Sequence, residues 1–322
     1  MAAPGDDHPT LSHRLLTERL PQVLADAGSD RPVYLVVIDN LRMDQWRMIE
    51  PMLLDRFRVV RTEPYFSMLP TATQYARNAL FAGLTPAEIA RVYPEYWVDE
   101  DQEGSKNKYE AELFDQLLKR LDFKGKSGYH KVTNLAAGRK LVDQFHRTKE
   151  NDITAVVYNF VDMLSHARTE MDVLKELAED DAAYRSLTLS WFEHSALREL
   201  FDQMAEFNAR VVITTDHGTV RVSNPIQVKG DRKTNSNLRY KVGRNLGYKA
   251  SDVFEVRDPQ AFGLPRPQVS SSYIFAREDD FLVYPNNYHH FAQNFKDSFQ
   301  HGGISLEEVI IPWVELDPIE SV

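Results

Sequence analysis

The amino-acid sequence predicts an α/β fold, a doubly wound sheet with helices on both faces and one irregular insertion. Three apolar runs of strand length carry that prediction: Val33-Tyr-Leu-Val-Val-Ile38, Thr154 to Phe160, and Ala209-Arg-Val-Val-Ile-Thr-Thr215. The runs are largely continuous rather than alternating, as in strands covered on both faces of a parallel sheet. Stretches of helical periodicity separate them, and such alternation of strand and helix argues for an α/β domain.

The remaining elements follow in order. Residues 11–26 place Leu11, Leu15, Leu16, Leu20, Val23 and Leu24 on one helical stripe, with Pro21 expected to kink or divide it. Residues 43–56 read as helix interrupted at Pro51, and Val59-Val60-Arg61-Thr62 as a short strand. A helix over 73–82 ends at Gly83, and further helices are expected at 109–121, 135–149 and within 170–207. Residues 219–298 read as an insertion with short strands at Tyr273 to Ala276 and Phe281 to Tyr284, before a last strand at Val309-Ile310-Ile311. The expected organisation is a flexible or helical lead over residues 1–30 and one domain over 31–322.

Composition narrows the chemistry. With 43% hydrophobic residues among 322, the chain can bury a large core. It has no cysteine, which excludes disulfides, thiolate metal sites and a cysteine nucleophile. No secretory signal pattern opens the sequence, and no apolar run approaches the roughly 18 residues of a membrane span. A cytoplasmic location is the expectation, with no membrane partner. The net charge of −10 repels phosphate-rich ligands, so stable binding of duplex DNA is not expected. An enzyme acting on phosphates with this balance needs cations concentrated at its site.

Each of the three strands runs into an aspartate: Asp39, Asp162 and Asp216. Ligand sites of open α/β sheets lie beyond the carboxyl ends of strands. His166 follows Asp162 by four residues, His217 follows Asp216 directly, and His301-Gly302-Gly303 precedes the final strand. Carboxylate and imidazole ligands without thiolates suit Zn²⁺, Mn²⁺ or related ions. Pro70-Thr-Ala-Thr73 stands just before a helix. A threonine there reads as an N-cap, or as a nucleophile favoured by the positive end of the helix dipole.

Taken in order, these segments resemble the alkaline phosphatase superfamily, nearest to its PglZ branch. Within that branch, Thr71-Ala-Thr-Gln-Tyr-Ala-Arg-Asn78, Thr214-Thr-Asp-His-Gly-Thr219, Asn237-Leu-Arg-Tyr-Lys241 and Phe299-Gln-His-Gly-Gly-Ile-Ser-Leu-Glu307 resemble the effector domain of PorX-type response regulators. The resemblance implies two divalent metals, most simply Zn²⁺. Asp39, Thr73, Asp216 and His217 would hold one, and Asp162, His166 and His301 the other. Thr73 would be the nucleophile of a phosphodiesterase acting on short linear or cyclic oligonucleotides, in a signalling effector connected with type IX secretion. The receiver domain that precedes this region in PorX-type proteins has no counterpart in the sequence at hand.

Two alternatives stay open from sequence: a phosphomonoesterase, and a zinc-stabilised module that binds a regulatory protein. The stretch Lys229 to Lys249 holds seven Lys/Arg and one Asp, and reads as a loop over the site. Lys229, Arg232 and Lys233, with Arg77, are the candidate phosphate contacts, and Tyr240 or Tyr248 could stack a base. Arg42 reads as a partner of Asp44, and His289-His290 as loop.

Overall fold

The computed structural model describes residues 9–100, 102, 104–159, 161, 176, 178–230 and 234–319. Its centre is a six-stranded sheet. The strands, in chain order, are β1 (Val33–Ile38), β2 (Phe57–Phe66), β3 (Ser127–Val132), β4 (Ile153–Tyr158), β5 (Arg210–Thr214) and a last strand, β13 (Ile310–Pro318). Their spatial order is β2-β13-β5-β1-β4-β3. The pairs β3–β4, β4–β1 and β1–β5 are parallel, whereas β13 runs antiparallel to both β5 and β2.

Why β1 is apolar throughout is visible in its packing. Val33, Leu35 and Val37 join one core cluster with α1 (Ser12–Ala27), α3 (Thr73–Ala82) and α5 (Glu110–Arg120). Tyr34, Val36 and Ile38 join the opposite cluster with α2 (Met43–Ile49), α7 (Asp181–Glu193) and α8 (Ala196–Glu206). Successive side chains leave a strand on opposite faces, so a strand between two helical layers needs apolar residues at every position. The remaining helices of the sheet layers are α4 (Pro86–Val92) and α6 (Leu135–Gln144).

The structure departs from the sequence reading in four places. α1 is one continuous helix through Pro21, and Leu15, Leu16, Leu20 and Val23 are buried in the core. From Ser12 the helix packs in the same core cluster as α3 and α5. β2 extends over ten residues, and β13 over nine, because the two pair with each other along their length. β3 has no counterpart in the prediction: its Ser-Gly-Tyr-His-Lys-Val sequence lacks a continuous apolar run because it is the half-exposed edge of the sheet.

Residues 219–298 build small sheets of their own. β6 (Val220–Arg221) pairs with β12 (Phe299–Gln300), and β7 (Asn224–Gln227) with β11 (Asp280–Val283). β8 (Tyr240–Gly243), β10 (Ser272–Phe275) and β9 (Phe254–Val256) form a three-stranded antiparallel sheet. Tyr240, Val242, Tyr273 and Phe275 belong to the same core cluster as α3. The insertion is therefore fused to the domain core. The helix α9 (Tyr288–Phe295) completes it, and beyond it the single turn α10 (Leu306–Val309) leads into β13. Among the described residues no helix is long and apolar enough to cross a membrane.

The end of α3 tests the backbone logic. Gly83 sits at φ 59°, the left-handed geometry that ends a helix. A Cβ there would lie 2.7 Å from Leu117 Cδ1 and 2.7 Å from Thr17 Oγ1. Strain and overpacking act together at this position. Gly83→Ala should lower unfolding free energy by about 2–3 kcal/mol in urea titration; a change below about 0.5 kcal/mol would show that the α1–α3–α5 junction yields.

Candidate metal centre

β1 and β5 are neighbours in register, so the residues after their carboxyl ends meet. Asp39 follows β1, and Asp216 and His217 follow β5 beyond Thr215. The three are almost wholly buried, and one ligand atom from each lies within 4.8 Å of the others. Asn40 takes up left-handed backbone at φ 64°, and its N–H donates to Asp216 Oδ1 at 3.4 Å. Gly218 is required for a different reason than a turn: a Cβ would stand 2.0 Å from the Glu307 carbonyl oxygen.

Thr73 is the first residue of α3, with Ala72 at the N-cap. Its hydroxyl caps nothing; it lies 3.3 Å from His217 Nε2. Thr71, two residues earlier, is fully buried and fully committed. Its hydroxyl donates to the Gly303 carbonyl at 2.9 Å and accepts from the Gly302 N–H at 2.9 Å. One threonine thus faces the carboxylate–imidazole group while the other ties two loops together.

The histidines are pinned in one tautomer. His217 Nδ1 is 3.1 Å from the Gly218 carbonyl, and His301 Nδ1 is 3.0 Å from the Thr71 carbonyl. A carbonyl only accepts, so each Nδ1 carries the proton and each Nε2 offers a lone pair. That is how protein matrices prepare imidazoles for metals. The two rings stack with centroids 4.2 Å apart and planes 15° from parallel. His217 Nε2 faces Asp216 Oδ2 at 3.5 Å and Asp39 Oδ1 at 3.9 Å. Two carboxylates, a hydroxyl and oriented imidazoles are a donor set that fits a divalent cation such as Zn²⁺. Asp162 and His166, the other expected ligands, lie outside the described residues, as do Arg232 and Lys233.

Arg77 stands where sequence reasoning did not place it. Its side chain is completely buried and meets carboxylates: Asp39 Oδ2 at 2.7 Å, Glu110 Oε1 at 2.5 Å and Asp216 Oδ2 at 3.7 Å. Its guanidinium thus sits among the carboxylates at the strand ends. Burial opposes charge on Glu110, but Arg77 and Lys131 hold its carboxyl below the ordinary range. Lys131 Nζ reaches Glu110 at 2.9 Å. Arg42 pairs with Asp44, as expected, and also with Asp181.

The basic stretch 229–249 is only in part a surface loop. Lys229 is exposed and shows no contact with the carboxylate group among the described residues. Tyr240 is buried and donates its hydroxyl to Glu100, so it is not a stacking surface for a base. Lys241 is buried beside Tyr284, donates to the Asn235 carbonyl at 3.2 Å, and is pushed by burial down to about 7. His289 and His290 are exposed on α9.

Sequence reasoning missed Glu308. This buried carboxylate accepts from the Gly303 N–H at 2.8 Å, the Ser305 N–H at 2.9 Å and Arg239 Nη2 at 2.6 Å. The turn after His301 packs into a socket: a Cβ on Gly302 would strike Tyr240 and Asn237 Oδ1, and one on Gly303 would strike Arg239. A signal existed in the sequence, since Ser305-x-x-Glu308 is a capping box before an apolar run.

The Arg239–Glu308 pair has a defined acid signature. Burial opposes charge on Glu308, yet Arg239 and backbone N–H groups hold its pKa below 4.5. A depressed carboxyl adds stability above its unfolded pKa and loses it as pH falls through the folded value. Glu308→Gln should cost about 3–5 kcal/mol at pH 7, because Arg239 is left buried and unmatched. The deficit should shrink once pH drops below about 4.5. Urea unfolding of both proteins from pH 7 to 3.5 measures this, and a deficit that stays constant over that range would contradict it.

The comparisons with known proteins come to the same fold. The family model of the BREX system PglZ alkaline phosphatase-like domain matches residues 17–316. No curated protein matches the sequence. Among solved structures, human ectonucleotide pyrophosphatase/phosphodiesterase 5 superposes with a TM-score of 0.58 at 12% identity, over 89% of this chain and 88% of that one. An inactive threonine-to-alanine variant of the murine protein, in complex with AMP, superposes at 0.55 with 12% identity and the same 89% and 88% coverage. Phosphonoacetate hydrolase from Sinorhizobium meliloti 1021, with phosphonoformate, gives 0.54 at 13% identity over 89% and 90%. At these identities the structural likeness concerns the fold. The family match spans almost the whole chain, and the chain belongs to the PglZ family of alkaline-phosphatase-like domains.

Proposed function

We propose that this chain is a metal-dependent phosphodiesterase that hydrolyses short linear or cyclic oligonucleotides, with Thr73 as nucleophile and two divalent cations, most simply Zn²⁺. The observation that carries the reading is the convergence of the Thr73 hydroxyl with Asp39, Asp216 and the Nε2 of His217 at the carboxyl end of the sheet.

Thr73 at the start of α3 has three advantages for attack. Its hydroxyl is not spent on capping. The first N–H groups of the helix and its dipole favour negative charge beside it. The imidazole and carboxylates that surround it are held rigidly by Arg77 and by backbone carbonyls. Divalent cations bound at these donors supply positive charge against the charge that develops on the phosphate oxygens. Thr73 Oγ forms a bond to phosphorus as one ester oxygen departs, taking up the hydroxyl proton, and leaves the rest of the nucleotide esterified to the threonine through its phosphate. Water then cleaves that ester and restores the hydroxyl. The geometry favours Thr73 over Thr71 as the attacking group, because Thr71 is bonded on both its donor and acceptor sides.

Nucleotide substrates are supported by the AMP complex of the murine structural relative. From the insertion, Lys229, with Arg232 and Lys233, is proposed to hold the phosphates of an extended substrate. A role as signalling effector, and a cytoplasmic location, follow from the resemblance to PorX-type effector domains.

Hydrolysis of bis(p-nitrophenyl) phosphate and of a short oligoribonucleotide tests the assignment. Wild type should turn over with Zn²⁺ and stop with chelator. Thr73→Val should lose at least about 1,000-fold in kcat while keeping its fold. Cleavage that survives in Thr73→Val would remove the nucleophile. A protein that binds Zn²⁺ but cleaves neither diester would turn the reading toward a phosphomonoesterase or a binding module. Neutralising Lys229, Arg232 and Lys233 together should raise KM for the oligoribonucleotide about tenfold with little change in kcat; an unchanged KM would exclude them.

A further inference from the structure

A cavity with a basic lining lies beside the edge strand of the central sheet. A cavity of about 410 Å³ lies between β3, α6 and the turn that follows α6. His130 of β3, Lys140 of α6 and Arg147 beyond it all line this space, and no aspartate or glutamate does. In a chain of 48 acidic and 38 basic residues, a carboxylate-free cavity with this lining stands apart. The contrast with a cavity near α10 is direct, since that one is lined by Asp181, Glu278, Asp279 and Glu307. Among the described residues, the side chains of His130, Lys140 and Arg147 have no hydrogen-bond or ion-pair partner. Elsewhere, Arg77, Arg198, Arg210 and Arg239 are all matched to carboxylates.

The rest of the lining defines what accompanies the charge. Val132 and Leu141 are buried and give the cavity an apolar floor. Asn151 places an amide at the far end, with its Nδ2 donating to Thr154 Oγ1 at 3.0 Å. The volume is in the range that takes a small organic ligand, roughly 300–1,000 Å³. A guanidinium fork and an ammonium are the usual pair for a phosphate. We propose that this groove binds a phosphate-bearing small molecule, the phosphate on Lys140, Arg147 and His130, and an apolar or aromatic body on Val132 and Leu141.

The groove is separate from the metal centre. β3 lies two strands from β1, with β4 between them. Lys131, the neighbour of His130, also lines the cavity, but its ammonium is paired with Glu110 at 2.9 Å. The proposal does not depend on hydrolytic activity or on metal.

Metal-free, isotope-labelled protein titrated separately with AMP and with inorganic phosphate provides the test, read by amide NMR shifts. Both should move resonances of residues 130–151, with AMP binding at least about fivefold more tightly because of its body. Lys140→Glu combined with Arg147→Glu, both exposed positions, should weaken AMP at least about tenfold at an unchanged unfolding midpoint. Thr73→Val should leave these shifts as they are. Equal affinity for AMP and phosphate would overturn the proposal in favour of simple anion attraction. Shifts confined to residues around Thr73, or insensitive to the double reversal, would overturn it as well. So would binding of only an acidic hexapeptide that protects the amides of β3, since that would make the edge a strand-pairing surface.

Discussion

Arg77 is a guanidinium with no exposure to solvent, and Asp39, Asp216 and Glu110 converge on it. Taking a charge out of water costs several kcal/mol unless a partner offsets it. Two aspartates at adjacent strand ends repel each other, and the guanidinium between them offsets that repulsion. Its own third side is closed by Glu110, which in turn takes Lys131 from β3. The result is an alternating row of charge that runs from the ligand group to the edge of the sheet. It ties α3, α5, β1, β3 and β5 to one electrostatic arrangement. It also makes the carboxylates of Asp39 and Asp216 part of the folded core.

The second clamp joins segments that are distant in sequence. Thr71 bonds Gly302 and Gly303, more than 230 positions later, and its carbonyl orients His301. Glu308 and Arg239 hold the same turn from behind, with Tyr240 and Asn237 filling the space that Gly302 leaves. The insertion between Asp216 and His301 thus does structural work at the site. Its Asn237-Leu-Arg-Tyr240 segment is a socket for the histidine turn rather than a flap over it.

How much of this could be seen in the sequence depended on the kind of contact. Buried strands announce themselves, because every side chain on β1 must be apolar. The Asp after each strand, and the helix from Thr73 to Gly83, follow from local rules. β3 was missed because an edge strand need not be apolar, and the length of β13 because its partner β2 lies 250 residues away. Arg77 looked like a phosphate ligand since nothing in its local sequence shows Asp39 or Glu110. Long-range ion pairs leave no periodic trace. Glu308 was the exception: Ser305-x-x-Glu308 has the form of a helix start. What it does not say is that the glutamate also takes a buried arginine from the insertion.

The two threonines of Pro70-Thr-Ala-Thr73 show why geometry must complete such a motif. They are chemically identical and two residues apart. Thr71 precedes the helix in a tight turn closed by the Ala72 N–H on the Pro70 carbonyl at 2.7 Å, against the His301 turn, where its hydroxyl is consumed on both sides. Thr73 begins the helix, and its side chain turns to the strand ends where His217 presents Nε2. The helix start separates a hydroxyl used as a rivet from one that faces His217. Exchanging their tasks would require a shift of α3, which is buried along almost its entire length and closed by Gly83. The same packing that fixes the helix therefore fixes which threonine faces the Asp39–Asp216–His217 group.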